Sequence, residues 1–224
     1  MCLTLMHGIG NPMLMKETPP IDGRRKRRVT NKLRTTEAIL DLILETGDVP
    51  SIEAMAERSG VSRRSVFRFF NNKAELYSEM HNLMLQRVRS RFSFPVPDPE
   101  RSLEETVRLW IDLRIQINEY IMPLRTLVEE KKRGSSLIQD RQKDARQSEQ
   151  QFIHDLFAPH LHDHPEQEGI QRLLLLNCSW NVWSVLRNDY GLSIEESRIL
   201  LEKQIFTVLG IGVTTMIKNV LENL

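Results

Sequence analysis

Residues 60–76 read GVSRRSVFRFFNNKAEL. Gly60 opens the stretch, Ser62 is a fitting helix N-cap, and Asn71 and Asn72 close it, so a short helix is predicted between them. Val66, Phe69 and Phe70 are spaced to face inward, while Arg63, Arg64, Ser65 and Arg68 fall elsewhere on its circumference. One face anchors the helix and the other carries cations.

The flanking segments supply partners for the anchored face. From Thr30 onward Leu33, Thr36, Ile39, Leu40, Ile43 and Leu44 recur at helical spacing, and Gly47 stands where a left-handed cap would fall. Ser51 is the N-cap of a second helix whose apolar face is Ile52, Met55 and Ala56, and Gly60 ends it. Downstream, a fourth helix is predicted from about Lys73 through Leu76, Met80, Leu83, Met84 and Arg87. It runs into FSFPVPDPE at 92–100, whose prolines mark a linker. Residues 23–80 are thus expected to form one domain, residues 81–224 another, and residues 1–22, which show no helical period, a flexible lead.

Beyond the linker no segment alternates in the manner of a strand, so the fold class is all-α. Ser102 and Glu105 fit a capping box ahead of a stripe of Leu103, Val107, Trp110, Ile111, Arg114 and Ile117 that is expected to end near Pro123. A short helix near Leu124–Lys132 and a polar one over Ser136–Phe157 follow, then a histidine-bearing loop. The last two helices are read over roughly Glu166–Tyr190 and from a second capping box, Ser193 with Glu196, to about Leu221.

Charge is distributed unevenly along the 224 residues. The net +1 conceals a basic front, with thirteen Lys or Arg against ten Asp or Glu in residues 1–80, and a slightly acidic remainder. Most of the excess lies in GRRKRRVTNKLR, residues 23–34, where seven basic residues meet no acid. Cys2 and Cys178 do not suggest a disulfide framework, and a reducing cytoplasm is the simplest setting. No signal peptide is read in residues 1–22, and no stretch approaches the roughly 20 apolar residues that cross a bilayer, so a soluble protein is expected.

A supporting helix followed by helix, glycine turn and helix is the order of a helix-turn-helix, which presents its last helix to the major groove of DNA. Arginine suits that work because its planar fork pairs with guanine O6 and N7 or with phosphate. Lys73 and the backbone N–H groups at the start of the fourth helix are placed to hold phosphate. The candidate DNA contacts are Arg28, Thr35, Ser62, Arg63, Arg64, Ser65, Phe67, Arg68 and Lys73.

TTEAILDLILETGDVPSIEAMAERSGVSRRSVFRFFNNKAELYSEM, residues 35–80, resembles the DNA-binding domain of the TetR family of bacterial transcriptional regulators. Its motif runs through Ala56, Gly60, Val61, Ser62, Phe70, Lys73 and Leu76 here. WSVLRNDYGLSIEES, residues 183–197, resembles segments near that family's last two helices. The resemblance implies a homodimer, a palindromic DNA operator and an inducer pocket in the larger domain, hence a repressor released by a small molecule. The family usually carries Tyr at 67 and often His or Tyr at 69, so Phe67 and Phe69 lack two polar tips, and Arg68 with the basic segment is expected to compensate.

A ligand cavity would need large aromatic walls with a few polar groups, and Trp110, Arg114, Tyr120, Phe152, Asn177, Trp180 and Trp183 are its candidates, with plain core packing as the other reading of each. The last two helices are apolar on more than one face, which calls for a second copy of the chain. Leu173, Leu176, Trp183, Phe206, Leu209, Val213 and Met216 are the candidate interface. The competing function is a metal-binding helical protein or hydrolase using HLHDHPE, residues 160–166, through His160, His162 and His164. The imidazole spacing departs from the metallo-β-lactamase-like signature HxHxDH, and no strand precedes it. No cofactor and no catalytic constellation are read.

Overall fold

The computed structural model describes residues 23–131 and 136–211, and these are helical with no strand among them. In chain order the helices are α1 (Gly23–Thr46), α2 (Ile52–Ser59), α3 (Arg63–Phe69), α4 (Lys73–Arg91), α5 (Leu103–Lys131), α6 (Ser136–Leu161), α7 (Gln167–Asn177), α8 (Trp180–Ser184) and α9 (Ile194–Val208). A π-helical turn, Val185–Asp189, follows α8. The expected lead, residues 1–22, and residues 212–224, with Val213 and Met216, lie outside the described residues, while the last helix, expected to run to about Leu221, ends at Val208, where Leu209 caps it and Gly210 takes a φ of 67°. No helix among them is long and apolar enough to cross a membrane.

The first four helices start and stop where the local chemistry requires. Ser51, Ser62 and Asn72 each cap a helix by accepting a backbone N–H in its first turn. Gly47 and Gly60 take φ of 75° and 68°, a region that glycine enters without a Cβ penalty, and so close α1 and α2. Ile39, Leu40, Ile43, Met55, Val66, Met80 and Met84 then form the buried centre of this part of the chain.

α1 departs from expectation by beginning at Gly23 rather than near Thr30, so the basic segment forms the first turns of a 24-residue helix. At about 1.5 Å per residue that helix is roughly 36 Å long. Its first ten residues are exposed or nearly so, and Lys32 ties it to α4 through Glu75 and Glu79, each at 2.7 Å. Farther along, Arg87 of α4 pairs with Asp41 of α1.

α5 also differs from the reading. A single helix runs from Leu103 to Lys131 with Pro123 inside it, where two helices were expected. An interior proline costs about 3 kcal/mol or more. Burial of one or two aliphatic side chains at about 1.5–3 kcal/mol each offsets that, and Ile117 and Leu124 on either side of Pro123 are both buried. Conversely, the helix expected over Glu166–Tyr190 is divided. α7 ends at Asn177, and Ser179 restarts the chain by accepting the Val182 N–H with its hydroxyl. The Ser102–Glu105 and Ser193–Glu196 pairs both form reciprocal capping boxes.

Candidate nucleic-acid interface

The outward face of α3 is built by what its inward face must do. Val66 and Phe69 are buried against α1 and α2, so residues 63, 64, 67 and 68 turn to solvent. Arg63, Arg64 and Arg68 are exposed there, and Phe67, 69% exposed, stands among them.

Beside this face lies an open groove of about 440 Å³ between the first turns of α1 and the back of α3. It is lined by Arg24, Arg27, Arg28 and Asn31 on one wall and by Ser65, Arg68 and Phe69 on the other. The α1 residues recur at i, i+3, i+4 and i+7, a single helical stripe. Of the sequence-derived candidates, Arg28, Ser65 and Arg68 meet in this groove. Arg24, Arg27 and Asn31 were missed because their spacing has meaning only once the segment is read as helix.

Positive side chains crowd an end of α1 that carries no acid in its first turn, where the helix dipole already presents positive charge. Each cation therefore works against the helix it sits on. The arrangement suits a polyanion, which would relieve the repulsion and use the same charge for binding.

Other candidates are placed differently. Thr35 is fully buried and donates its hydroxyl hydrogen bond to the Asn31 carbonyl at 2.8 Å, so it cannot reach a duplex, and its role is in the α1 packing. Ser62 accepts the Ser65 N–H at 3.2 Å as N-cap, which commits its oxygen to holding α3 in place. Lys73 is exposed at the start of α4. The backbone beside it is partly occupied, since Glu75 accepts the Asn71 N–H at 2.7 Å while Asn72 Oδ1 accepts the Glu75 N–H at 2.9 Å. The Lys32 and Asn71 contacts hold the Glu75 carboxyl below its ordinary range.

The residues expected to line a ligand cavity are mostly committed to packing. Trp110 and Trp183 are fully buried and Trp180 nearly so, and Trp183 Nε1 donates to Glu119 at 2.8 Å. That burial also removes Trp183 from any interface between copies. Tyr120 stacks edge-on with Phe92, Phe152 packs against Trp110, and Asn177 donates to the Leu173 carbonyl. Between α7 and α9 a cavity of about 10 Å³ is lined by Leu173, Asn177 and Leu209, among others, which is room for a water molecule at most. Of the remaining interface candidates within the described residues, Leu176 is 61% exposed, while Leu173, Phe206 and Leu209 are half-buried.

The three imidazoles of 160–164 go separate ways. His160 shares a hydrogen bond with Thr106 at 3.0 Å, bracing α6 on α5, His164 Nδ1 accepts the Glu166 N–H, and His162 lies in solvent beside Asp163. Among the described residues no three His, Cys, Asp or Glu side chains are grouped to hold a metal ion. The Cys178 thiol is enclosed, and burial pushes its pKa up to about 12, so it is no nucleophile at neutral pH. No known family model matches the chain, and no curated protein is significantly similar to it.

Proposed function

We propose that this protein is a DNA-binding transcriptional regulator of the TetR kind, a homodimeric repressor released from a palindromic operator by a small molecule. The observation that carries the reading is the continuity of the α3 face, with Arg63, Arg64, Phe67 and Arg68, and the cationic groove that α3 shares with Arg24, Arg27 and Arg28 of α1. In that reading α2 and α3 are a helix-turn-helix, α3 enters the major groove, and the α1 groove receives the sugar–phosphate strand at its edge.

The face divides into chemical roles. Arg63 and Arg64 lead the helix and read base edges, where one good bidentate pair contributes about 1–3 kcal/mol of discrimination. Phe67, lacking the hydroxyl that the resemblance leads one to expect, is suited to apolar contact with a thymine methyl rather than to phosphate. Arg68 and the α1 arginines neutralise phosphate and position the helix without specifying sequence.

Dimerisation is supported by the apolar edge of α7 and α9, where Leu176 and Val208 are more than half exposed. Two copies joined there would present two α3 helices to successive turns of one duplex.

The test is fluorescence anisotropy of the full-length protein on a labelled fragment from upstream of its own gene, against a scrambled fragment, with excess competitor DNA at near-physiological salt. Preference for one sequence by about 4 kcal/mol or more is the expected result for a specific regulator. Equal, weak binding to both fragments, together with failure of a random-sequence selection, would sink the reading.

A further inference from the structure

Many cations of this fold already have an anion: Lys32 stands against Glu75, Arg58 against Glu45, Arg87 against Asp41 and Arg198 against Asp112. The groove between α1 and α3 breaks that pattern. Seven residues line it, four of them arginines, and none is acidic. Among the described residues no carboxylate pairs with Arg27, Arg28 or Arg68. At about 440 Å³ the groove falls in the size range of small-molecule sites, about 300–1,000 Å³.

Its shape narrows what can fill it. From Arg24 to Asn31 the α1 wall rises about 10 Å along the helix axis. A single phosphate meets one end of that stripe, whereas a triphosphate chain lies along all of it. Arg68 faces the stripe from α3, so the cations close on an occupant from two sides. Guanidinium forks pair bidentately with phosphoryl oxygens, and the Asn31 amide and Ser65 hydroxyl add neutral donors between them. Both walls are set before any ligand arrives. Val66 and Phe69 anchor α3, and Thr35 and Thr36 are buried on the side of α1 that packs, so little ordering is left for binding to impose.

We propose that this groove is a binding site for a linear triphosphate chain, carried by a free nucleoside triphosphate or by inorganic tripolyphosphate, and that its occupant competes with operator DNA. The site itself stands on the groove, while the competition rests on the reading of α3 and the α1 arginines as a DNA-binding face. Arg28 and Arg68 are claimed by both ligands, so one excludes the other. Release from DNA then requires no change of shape, because the small anion takes the cations that the duplex needs.

The experiment is isothermal titration calorimetry of the full-length protein without DNA at near-physiological salt, using tripolyphosphate, ATP, pyrophosphate, orthophosphate and citrate as probes. Saturable binding of tripolyphosphate and ATP is expected, with the other three weaker by about tenfold or more. Either order of the first two upholds the site, and the tighter of them identifies the source of the chain. Arg27→Ala and Arg68→Ala, one on each wall and both exposed, should each weaken tripolyphosphate about tenfold, while Arg172→Ala, the same loss of charge on α7, should leave it unchanged. No saturable binding, citrate equal to tripolyphosphate, or an equal loss from Arg172→Ala would overturn the site. On labelled operator, tripolyphosphate near its own dissociation constant should release the protein where potassium chloride of matched ionic strength does not; binding without release would overturn the competition. Because the titration contains no DNA, it decides the site whether or not an operator is found.

Discussion

Arg63 Nη1 stands 3.0 Å from Glu53 Oε1, so the leading residue of α3 is held by α2 across the Gly60 turn. Both side chains are more than half exposed, and such pairs contribute only about 0.2–1 kcal/mol. On DNA, Arg63 would exchange this carboxylate for a base or phosphate, and Glu53 is then a competitor. Glu53→Gln should tighten operator binding about two- to fivefold, whereas Arg63→Ala should weaken it tenfold or more, in line with a lost bidentate pair at about 1–3 kcal/mol. Anisotropy titrations of the two variants decide it. If both weaken binding alike, the pair orders α3 and Arg63 does not read DNA.

The groove gives a different signature, because phosphate contacts appear in the salt dependence. Each neutralised phosphate contributes about 0.9 to the slope of log affinity against log salt concentration. Replacing Arg24, Arg27 and Arg28 together by Ala should lower that slope by up to about 2.7 while leaving the preference for operator over scrambled DNA nearly intact. An unchanged slope would remove the α1 groove from the interface.

The same groove shows where sequence reading succeeds and where it stops. Helix limits set by a cap and a glycine, such as Ser51 to Gly60, are legible because two or three adjacent residues decide them. The outward face of α3 was legible for the same reason, since burying Val66 and Phe69 leaves Arg63, Arg64 and Arg68 nowhere else to point. The basic segment was not, because seven cations look the same on an extended arm and on a helix, and what holds it helical is remote: Lys32 meets Glu75 and Glu79 more than forty positions away. Thr35 was misplaced for a related reason, as a threonine that bonds its own preceding turn is indistinguishable in one dimension from one that bonds phosphate.

Acid should loosen the α1–α4 junction before it unfolds the rest. Glu75 has its carboxyl pKa lowered from 4.5, first by its hydrogen bond from Lys32 and then by the Asn71 N–H. A folded-state value below the unfolded one means that the contribution is complete above about pH 4.5 and is lost as pH falls through the folded value. Lys32 works at the other end. Burial opposes its charge, but Glu75 and Glu79 outweigh that and raise it above 10.5, so its share persists at neutral pH. Glu75→Gln should lower stability at pH 7 by about 0.5–1 kcal/mol and shrink the loss on going to pH 3. Thermal melts at the two pH values test this, and a variant whose acid sensitivity matches the parent would show that Glu75 is not the responsible group.

Leu176 on α7 is 61% exposed, and Val208, at the end of α9, is 52% exposed beside a small cavity that its side chain shares with Leu173 and Leu209. Apolar groups left in water on two adjoining helices gain about 25 cal/mol for each Å² that a second copy covers. A charge placed in the middle of such a contact must be desolvated without a partner, and central interface positions commonly cost about 2 kcal/mol or more when disrupted. Leu176→Glu with Val208→Glu should therefore raise the dimer dissociation constant at least thirtyfold in sedimentation equilibrium, with the helical signal in circular dichroism unchanged. The monomer so obtained should also bind a single half-site but lose the tight binding to a full palindrome, since one α3 helix can fill only one half. A variant that remains dimeric, with its operator affinity intact, would place the contact between copies on another face.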